Sequence, residues 1–119
     1  MPPKKVLITG IYGLIPGAVY DLLKHKTDKY LFYGLARRAE PSARSPKGRV
    51  IDIPKERFHL CDISDWAGVR KAVEGMDVVV HMAADPRGDA PWESVLPNNI
   101  IGTYNVFEAS KQAGVKRIV

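Results

Sequence analysis

A chain of 119 residues has room for one domain with its own core, and its 45% apolar and 26% charged residues are usual for a globular protein rather than a disordered or fibrous one. Its one cysteine, Cys61, excludes an internal disulfide, no apolar run reaches the roughly 18 residues of a membrane span, and Met1 to Lys5 lacks the apolar stretch of a secretion signal, so a soluble cytoplasmic protein without a membrane partner is expected. The net charge of +5 is scattered over Lys4-Lys5, Lys24 and Lys26, Arg37-Arg38, Arg44 and Arg49, and Lys116-Arg117, with no interleaved aromatics, which argues against nucleic acid as a partner.

Val6-Leu7-Ile8 reads as a short strand buried on both faces, the habit of parallel sheets. Gly10 and Gly13 follow, and then Val19, Leu22 and Leu23 recur at helical spacing opposite Asp21, Lys24 and His25. Tyr30 to Ala36 reads as a second strand. Arg38 to Pro54, with Pro41, Ser42, Ser45 and Pro46, reads as an exposed loop. Arg57 to Leu60 is a short third strand. Asp65 is placed to cap a helix whose Val69, Val73 and Met76 face inward, and Val78 to Met82 is the clearest buried strand. Pro86 to Pro91 is loop. A helix from Leu96 to Ala113 carries Ile100, Tyr104 and Phe107 near one face and stops at Gly114, and Lys116 to Val119 opens another strand. Strands alternating with helices predict an α/β fold with a parallel sheet covered by helices on both faces. The chain stops inside the apolar run Arg117-Ile118-Val119, so it is expected to be part of a longer protein.

Thr9-Gly10-Ile11-Tyr12-Gly13-Leu14-Ile15-Pro16-Gly17 stands between the first strand and the first helix. Glycine there allows a tight turn and a close approach of backbone to a pyrophosphate, and the helix then aims free N–H groups and its positive end at the phosphates. One strand-to-helix glycine is common in structural turns; two in this context point to phosphate binding over Gly10, Tyr12, Gly13, Leu14 and Ile15.

The turn resembles the T-G-x-x-G-x-x-G turn of the extended short-chain dehydrogenase/reductase family, the NAD(P)-dependent sugar epimerases and dehydratases. Thr9, Gly10 and Gly13 match; Pro16 stands at the third glycine, with Gly17 one place later. The resemblance spans nearly the whole chain and implies a Rossmann-type doubly wound parallel sheet ordered 3-2-1-4-5, with residues 1–119 as the N-terminal dinucleotide-binding domain of the longer protein, and further roles. At the end of the second strand the family usually has an acid for the adenosine ribose; here Ala36 is followed by Arg37 and Arg38, which favour NADP over NAD, with both cofactors open and a solvated loop start as the alternative. Cys61-Asp62-Ile63 resembles the adenine step, with Asp62 accepting from the amino group and Ile63 packing on the ring. Val78 to Ala84 resembles the fourth strand, and Met82, Ala83 and Ala84 would border the nicotinamide ribose. Asn98 to Ala109 resembles the N-x-x-G-T-x-N helix, with Asn99 supporting the active-site region and Gly102 permitting close packing. Arg87 is a candidate for an anionic sugar group.

His81 lies within a strand and is read as structural, and His25, His59 and His81 are too dispersed for a metal site. The family's Ser/Thr and Tyr-x-x-x-Lys would lie downstream, so no catalytic residue is assigned. Tyr20 and Lys24 share that spacing but belong to the first helix and are rejected as catalytic. The resemblance implies hydride transfer on a nucleotide sugar or uronic acid, with a homodimer left open. The alternative is a non-catalytic NADP-binding regulatory or sensor protein of the same fold.

Overall fold

Val6, Leu7 and Ile8 are apolar in succession because both faces of their strand are covered. In the computed structural model, which describes residues 1–119, strand β1 (Lys4–Thr9) is the centre of a five-stranded sheet. It pairs in parallel with β2 (Tyr30–Ala36) on one side and β4 (Val78–His81) on the other; β3 (Phe58–Leu60) flanks β2 and β5 (Arg117–Ile118) flanks β4. The order is β3-β2-β1-β4-β5, as expected.

Alternation along β1 divides the core in two. Leu7 faces α2 (Trp66–Val73) and α4 (Gly102–Ala113), joining Leu35, Val69, Val73, Val79 and Val106 in one cluster. Val6 and Ile8 face α1 (Leu14–Leu23), joining Phe32, Tyr20 and Ile51 in the other. No helix is long and apolar enough to cross a membrane.

Several local expectations are corrected. The buried face of α1 is Pro16, Gly17 and Tyr20, with Val19 and Leu23 beside it, whereas Leu22 is exposed. Tyr20 turns inward because its hydroxyl reaches Asp52 at 2.8 Å. The segment from Arg38 to Pro54 is irregular but not simply solvated, since Ile51 is buried beneath α1 and Arg49 donates to the Leu14 carbonyl at 3.0 Å. Arg57 belongs to a 3-10 turn, Lys55–Arg57, rather than to β3. In β4 only Val79 is fully buried; Val78 and Val80 are half-buried against the cluster that contains Tyr20 of α1. Asp65 occupies the cap position of α2, yet its side chain makes no capping bond.

The last helical region begins earlier than expected, at α3 (Trp92–Val95), and reaches α4 through a π-helical segment, Leu96–Ile101. Pro97 has no N–H to donate and its ring crowds the preceding turn, so the helix widens there, and the Gly102 N–H reaches back to the Pro97 carbonyl. Ile100, Tyr104 and Phe107 are exposed; Gly102, Asn105, Val106, Ala109 and Ser110 form the buried face. Gly114 ends the helix in the left-handed conformation.

One polar network ties these layers together. The Thr9 hydroxyl oxygen accepts from the Met82 and Ala83 N–H groups at 2.9 and 3.0 Å. Its own proton is therefore left for His81 Nδ1 at 2.9 Å. His81 is thus neutral with the proton on Nε2, which donates to Thr103 Oγ1 at 3.1 Å. Both ring nitrogens of His81 are thus hydrogen-bonded within the chain.

Two predictions follow from this packing. Burial depresses the pKa of His81, and burial with Lys71 depresses that of His59. The unfolded chain takes up these protons near pH 6.5, the folded chain only at lower pH, so stability is full above about pH 6.5 and is lost as pH falls through the folded values. Urea midpoints should drop between pH 7.5 and pH 5.5, and His81→Gln should flatten that slope; an unchanged slope in the variant would show that His81 does not carry it. At Gly102, an added Cβ would lie 2.5 Å from Ile63 Cδ1 and 2.6 Å from Cγ1. Gly102→Ala should destabilise, because overpacking costs about 1–3 kcal/mol against a helix-propensity gain of about 1 kcal/mol. Adding Ile63→Ala should cancel the Gly102 penalty in a double-mutant cycle; simple additivity would show that the two residues do not compete for the space.

Candidate functional site

All four strand ends from β1 to β4 open onto one cleft. Its volume is about 570 Å³, and it lies at the C-terminal edge of the sheet, where the chain order switches between β1 and β4. Gly10 makes the floor. Its φ is +69°, and an added Cβ would sit 3.0 Å from Ala83 Cα, so only glycine lets the two strand ends meet this closely. The Gly10 N–H donates to the Leu35 carbonyl at 2.7 Å, which fastens the turn to β2 as well.

The turn then presents donors. Gly13 caps α1, and its N–H returns to the Gly10 carbonyl. The backbone N–H groups of Tyr12, Leu14 and Ile15 have no acceptor within the chain. Pro16 is the third residue of α1, where an N–H needs no intrahelical partner; it is buried, and Gly17 resumes the ladder by donating to Gly13 at 3.0 Å. The positive end of a ten-residue helix and three free donors therefore face the cleft. These are the features a pyrophosphate requires, so the residues present fit a dinucleotide.

Eleven of the thirteen residues singled out from sequence line this cleft: Gly10, Tyr12, Gly13, Leu14, Ile15, Arg37, Arg38, Ile63, Met82, Ala83 and Ala84. Asp62 and Asn99 do not. Asp62 Oδ1 accepts from the Ser64 N–H and hydroxyl at 2.9 and 2.8 Å, so this aspartate, not Asp65, organises the turn before α2. Asn99 lies behind the wall and holds Asp85 by both backbone groups, accepting from its N–H at 2.7 Å and donating to its carbonyl at 3.1 Å. Its neighbour Asn98, which the sequence pattern left aside, lines the cleft, with its amide donating to Ser94 Oγ.

Further lining residues come from the loop after β2, including Glu40, Ser42 and Arg44, and from Cys61. The loop position is set by the Ser42 N–H, which donates to the Tyr12 carbonyl at 2.9 Å. Only the charge of Arg44, noted without a role, hinted at this contribution. Burial, with Asp65 and Asp62 nearby, pushes the Cys61 thiol up to about 11, so it stays protonated at neutral pH and is no nucleophile.

Two other candidates change character. Arg87 donates to both carboxylate oxygens of Asp85, with its closest contact at 2.7 Å, and this pairing together with the Ser94 hydroxyl holds the Asp85 carboxyl well below its usual range. The charge of Arg87 is therefore already matched. Tyr20 is buried against Phe32 and donates to Asp52; burial and that carboxylate raise its pKa, the opposite of what a proton-exchanging tyrosine needs. Lys24 pairs with Asp21 and Asp52, so the Tyr20–Lys24 spacing is structural.

Known proteins resemble this chain in sequence and in architecture. An NAD-dependent glucose-6-phosphate dehydrogenase of Haloferax volcanii is 36% identical over 112 residues, covering 94% of this chain and 40% of that protein. A uronate dehydrogenase of Pseudomonas putida is 32% identical over 118 residues, covering 99% of this chain and 40% of that protein. The crystal structure of uronate dehydrogenase from Agrobacterium tumefaciens matches with a TM-score of 0.74 at 30% identity, over 99% of this chain and 40% of that one. A UDP-glucose 4-epimerase of Thermus thermophilus, solved as a complex with NAD, matches with a TM-score of 0.74 at 26% identity, over 96% of this chain and 36% of that one. The chain thus spans about 40% of the length of the two dehydrogenase relatives. The family model of NAD dependent epimerases and dehydratases matches residues 6–119, in agreement with the sheet order and the glycine turn, and the chain belongs to that family.

Proposed function

We propose that residues 1–119 are the cofactor-binding domain of a sugar-directed oxidoreductase, which takes NAD(P) into the cleft above Gly10 and acts on a sugar or uronic acid. The observation that carries this reading is the meeting, at one cleft, of the unpaired Tyr12, Leu14 and Ile15 N–H groups with the close approach of Gly10 to Ala83. The similarity to a glucose-6-phosphate dehydrogenase and a uronate dehydrogenase supports a sugar or sugar acid as substrate.

The nicotinamide, when bound, would supply the hydride exchange. The chain's own residues bind and orient. Tyr12, Leu14 and Ile15 donate to the diphosphate, and the helix end offsets its charge. Ile63 and Leu35 give apolar walls toward β2 and β3, and Met82 to Ala84 border the ring-proximal end. Asn99 fixes the loop at Asp85, which carries Pro86 to the cleft rim. Proton exchange with substrate is assigned to none of these residues; Tyr20 lies outside the cleft wall with its hydroxyl donating to Asp52. The Ser/Thr and Tyr-x-x-x-Lys groups that the family resemblance implies would belong to a further segment of the full protein.

Isothermal titration should show the 119-residue chain binding NAD(P), with no turnover of uronates, aldoses or nucleotide sugars. Turnover above a no-protein control would overturn the assignment of the acid–base groups to a further segment. Gly10→Ala should weaken dinucleotide binding about tenfold or more, since a left-handed alanine pressed on Ala83 costs roughly 1–3 kcal/mol. Undiminished affinity in that variant would remove Gly10 from the site. A longer form that lacked a downstream Tyr-x-x-x-Lys and bound NAD(P) without turning over sugar would favour the sensor reading.

A further inference from the structure

We infer that Asn98 is a fixed hydrogen-bond acceptor on the β4 side of the cleft, set to receive a hydroxyl of the bound ligand; this rests on the dinucleotide reading above. The side chains on that side are otherwise apolar, from Met82, Ala83, Ala84 and Pro86. The backbone there is largely committed. The Met82 and Ala83 N–H groups donate to the Thr9 hydroxyl, and Asn99 holds both backbone groups of Asp85. The other polar side chains of the cleft stand at the glycine turn, at the ends of β2 and β3, and on the loop between them.

A series of side chains, Arg87 to Asp85 to Ser94 to Asn98, decides which end of the amide is left for the cleft. Arg87 donates through Nε and Nη2 to the Asp85 carboxylate, which therefore only accepts. The Ser94 hydroxyl lies against Asp85 Oδ2 and gives its proton to it. Ser94 Oγ then has only lone pairs to offer Asn98, at 3.1 Å. An amide oxygen in that place would face another oxygen, so Asn98 turns its Nδ2 to Ser94 and its Oδ1 away. No N–H or O–H of the chain donates to that Oδ1, which is the free end of a side chain lining the cleft.

Electrostatics choose the kind of group this acceptor takes. Arg87 and Asp85 offset each other, so the support behind Asn98 carries no net charge. An amide oxygen repels the oxygens of a carboxylate or phosphate and accepts from a hydroxyl. Hydroxyls belong both to the nicotinamide-side ribose of a dinucleotide and to a sugar substrate. Arg87, Asp85 and Ser94 are positioning residues in this arrangement, because they act on the ligand only through the orientation of the Asn98 amide.

The test pairs a hydroxyl removed from the ligand with the acceptor removed from the protein. NAD+ and analogues lacking one hydroxyl of the nicotinamide-side ribose are titrated into the protein and into Asn98→Leu. Glucose, glucuronate and their monodeoxy forms are titrated into both after saturation with NAD+. Asn98→Leu should weaken one parent ligand about tenfold, and a form of that ligand lacking one hydroxyl should bind both proteins equally. A ribose pair that behaves this way assigns the hydroxyl to the cofactor; a sugar pair assigns it to the substrate. Ser94→Ala frees the amide to turn over, so it should weaken the same ligand about threefold and add nothing to Asn98→Leu. Asn98→Ala repeats the measurement if circular dichroism shows that leucine disturbs the fold. Unchanged affinities in the variants, or a loss shared equally by parent and deoxy ligands, would overturn the inference while leaving the dinucleotide reading intact. If the unmodified protein takes up no sugar, the NAD+ pairs alone decide. Binding of neither NAD+ nor NADP+ by the unmodified protein would overturn both.

Discussion

The Thr9 hydroxyl holds the cleft in shape. It uses its whole bonding capacity, accepting from Met82 and Ala83 and donating to His81, at the point where β1 and β4 end. Strand pairing ends at Thr9↔His81. Without this side chain, the two N–H groups beyond that pair would be left part-buried and unpaired, which costs about 1–3 kcal/mol each. The same hydroxyl brings Ala83 against Gly10 and, through His81, couples the sheet to Thr103 on α4. The absence of a side chain at Gly10 matters because Thr9 pulls the facing strand so near.

A second constraint acts from the opposite side of the cleft. The connection between β2 and β3 has no long helix, only an irregular run and a 3-10 turn. Such a segment must find its order elsewhere. Ile51 enters the core, Asp52 meets Tyr20, Arg49 meets Leu14 and Ser42 meets Tyr12. Each anchor lands on α1 or on the turn before it, so the loop that carries Arg44 is referenced to the same element that presents the phosphate donors.

The sheet order, the glycine turn and most of the cleft wall were legible in the sequence because they depend on local chain order. An apolar triplet, two glycines and an amphipathic stretch suffice to place Gly10 to Ile15. Asp62 and Asn99 were harder. Their types fit the motif positions, but where their side chains point is decided by partners elsewhere: Ser64 two residues on, and the backbone of Asp85 fourteen residues back. Asn98, which lines the cleft, lies in the π-helical segment beside Pro97, where side-chain directions differ from those of an ordinary helix. The exposure of Leu22 and of the Tyr104–Phe107 face was hidden for a similar reason: periodicity shows that apolar residues share a side, not what covers that side.

The central place of β1 also governs how the chain comes to be made. Val6 pairs with Phe32 on one side and with Val78 on the other, a separation of 72 residues. As the polypeptide leaves the ribosome, β1 and β2 can associate early, but the second edge of β1 remains open until β4 has cleared the exit tunnel. For that interval the central strand, with Val6, Leu7 and Ile8, offers an unpaired edge to any passing chain. Synthesis that stalls before His81 would therefore release a nascent product prone to aggregate, and the elongation rate between β2 and β4 becomes a determinant of yield.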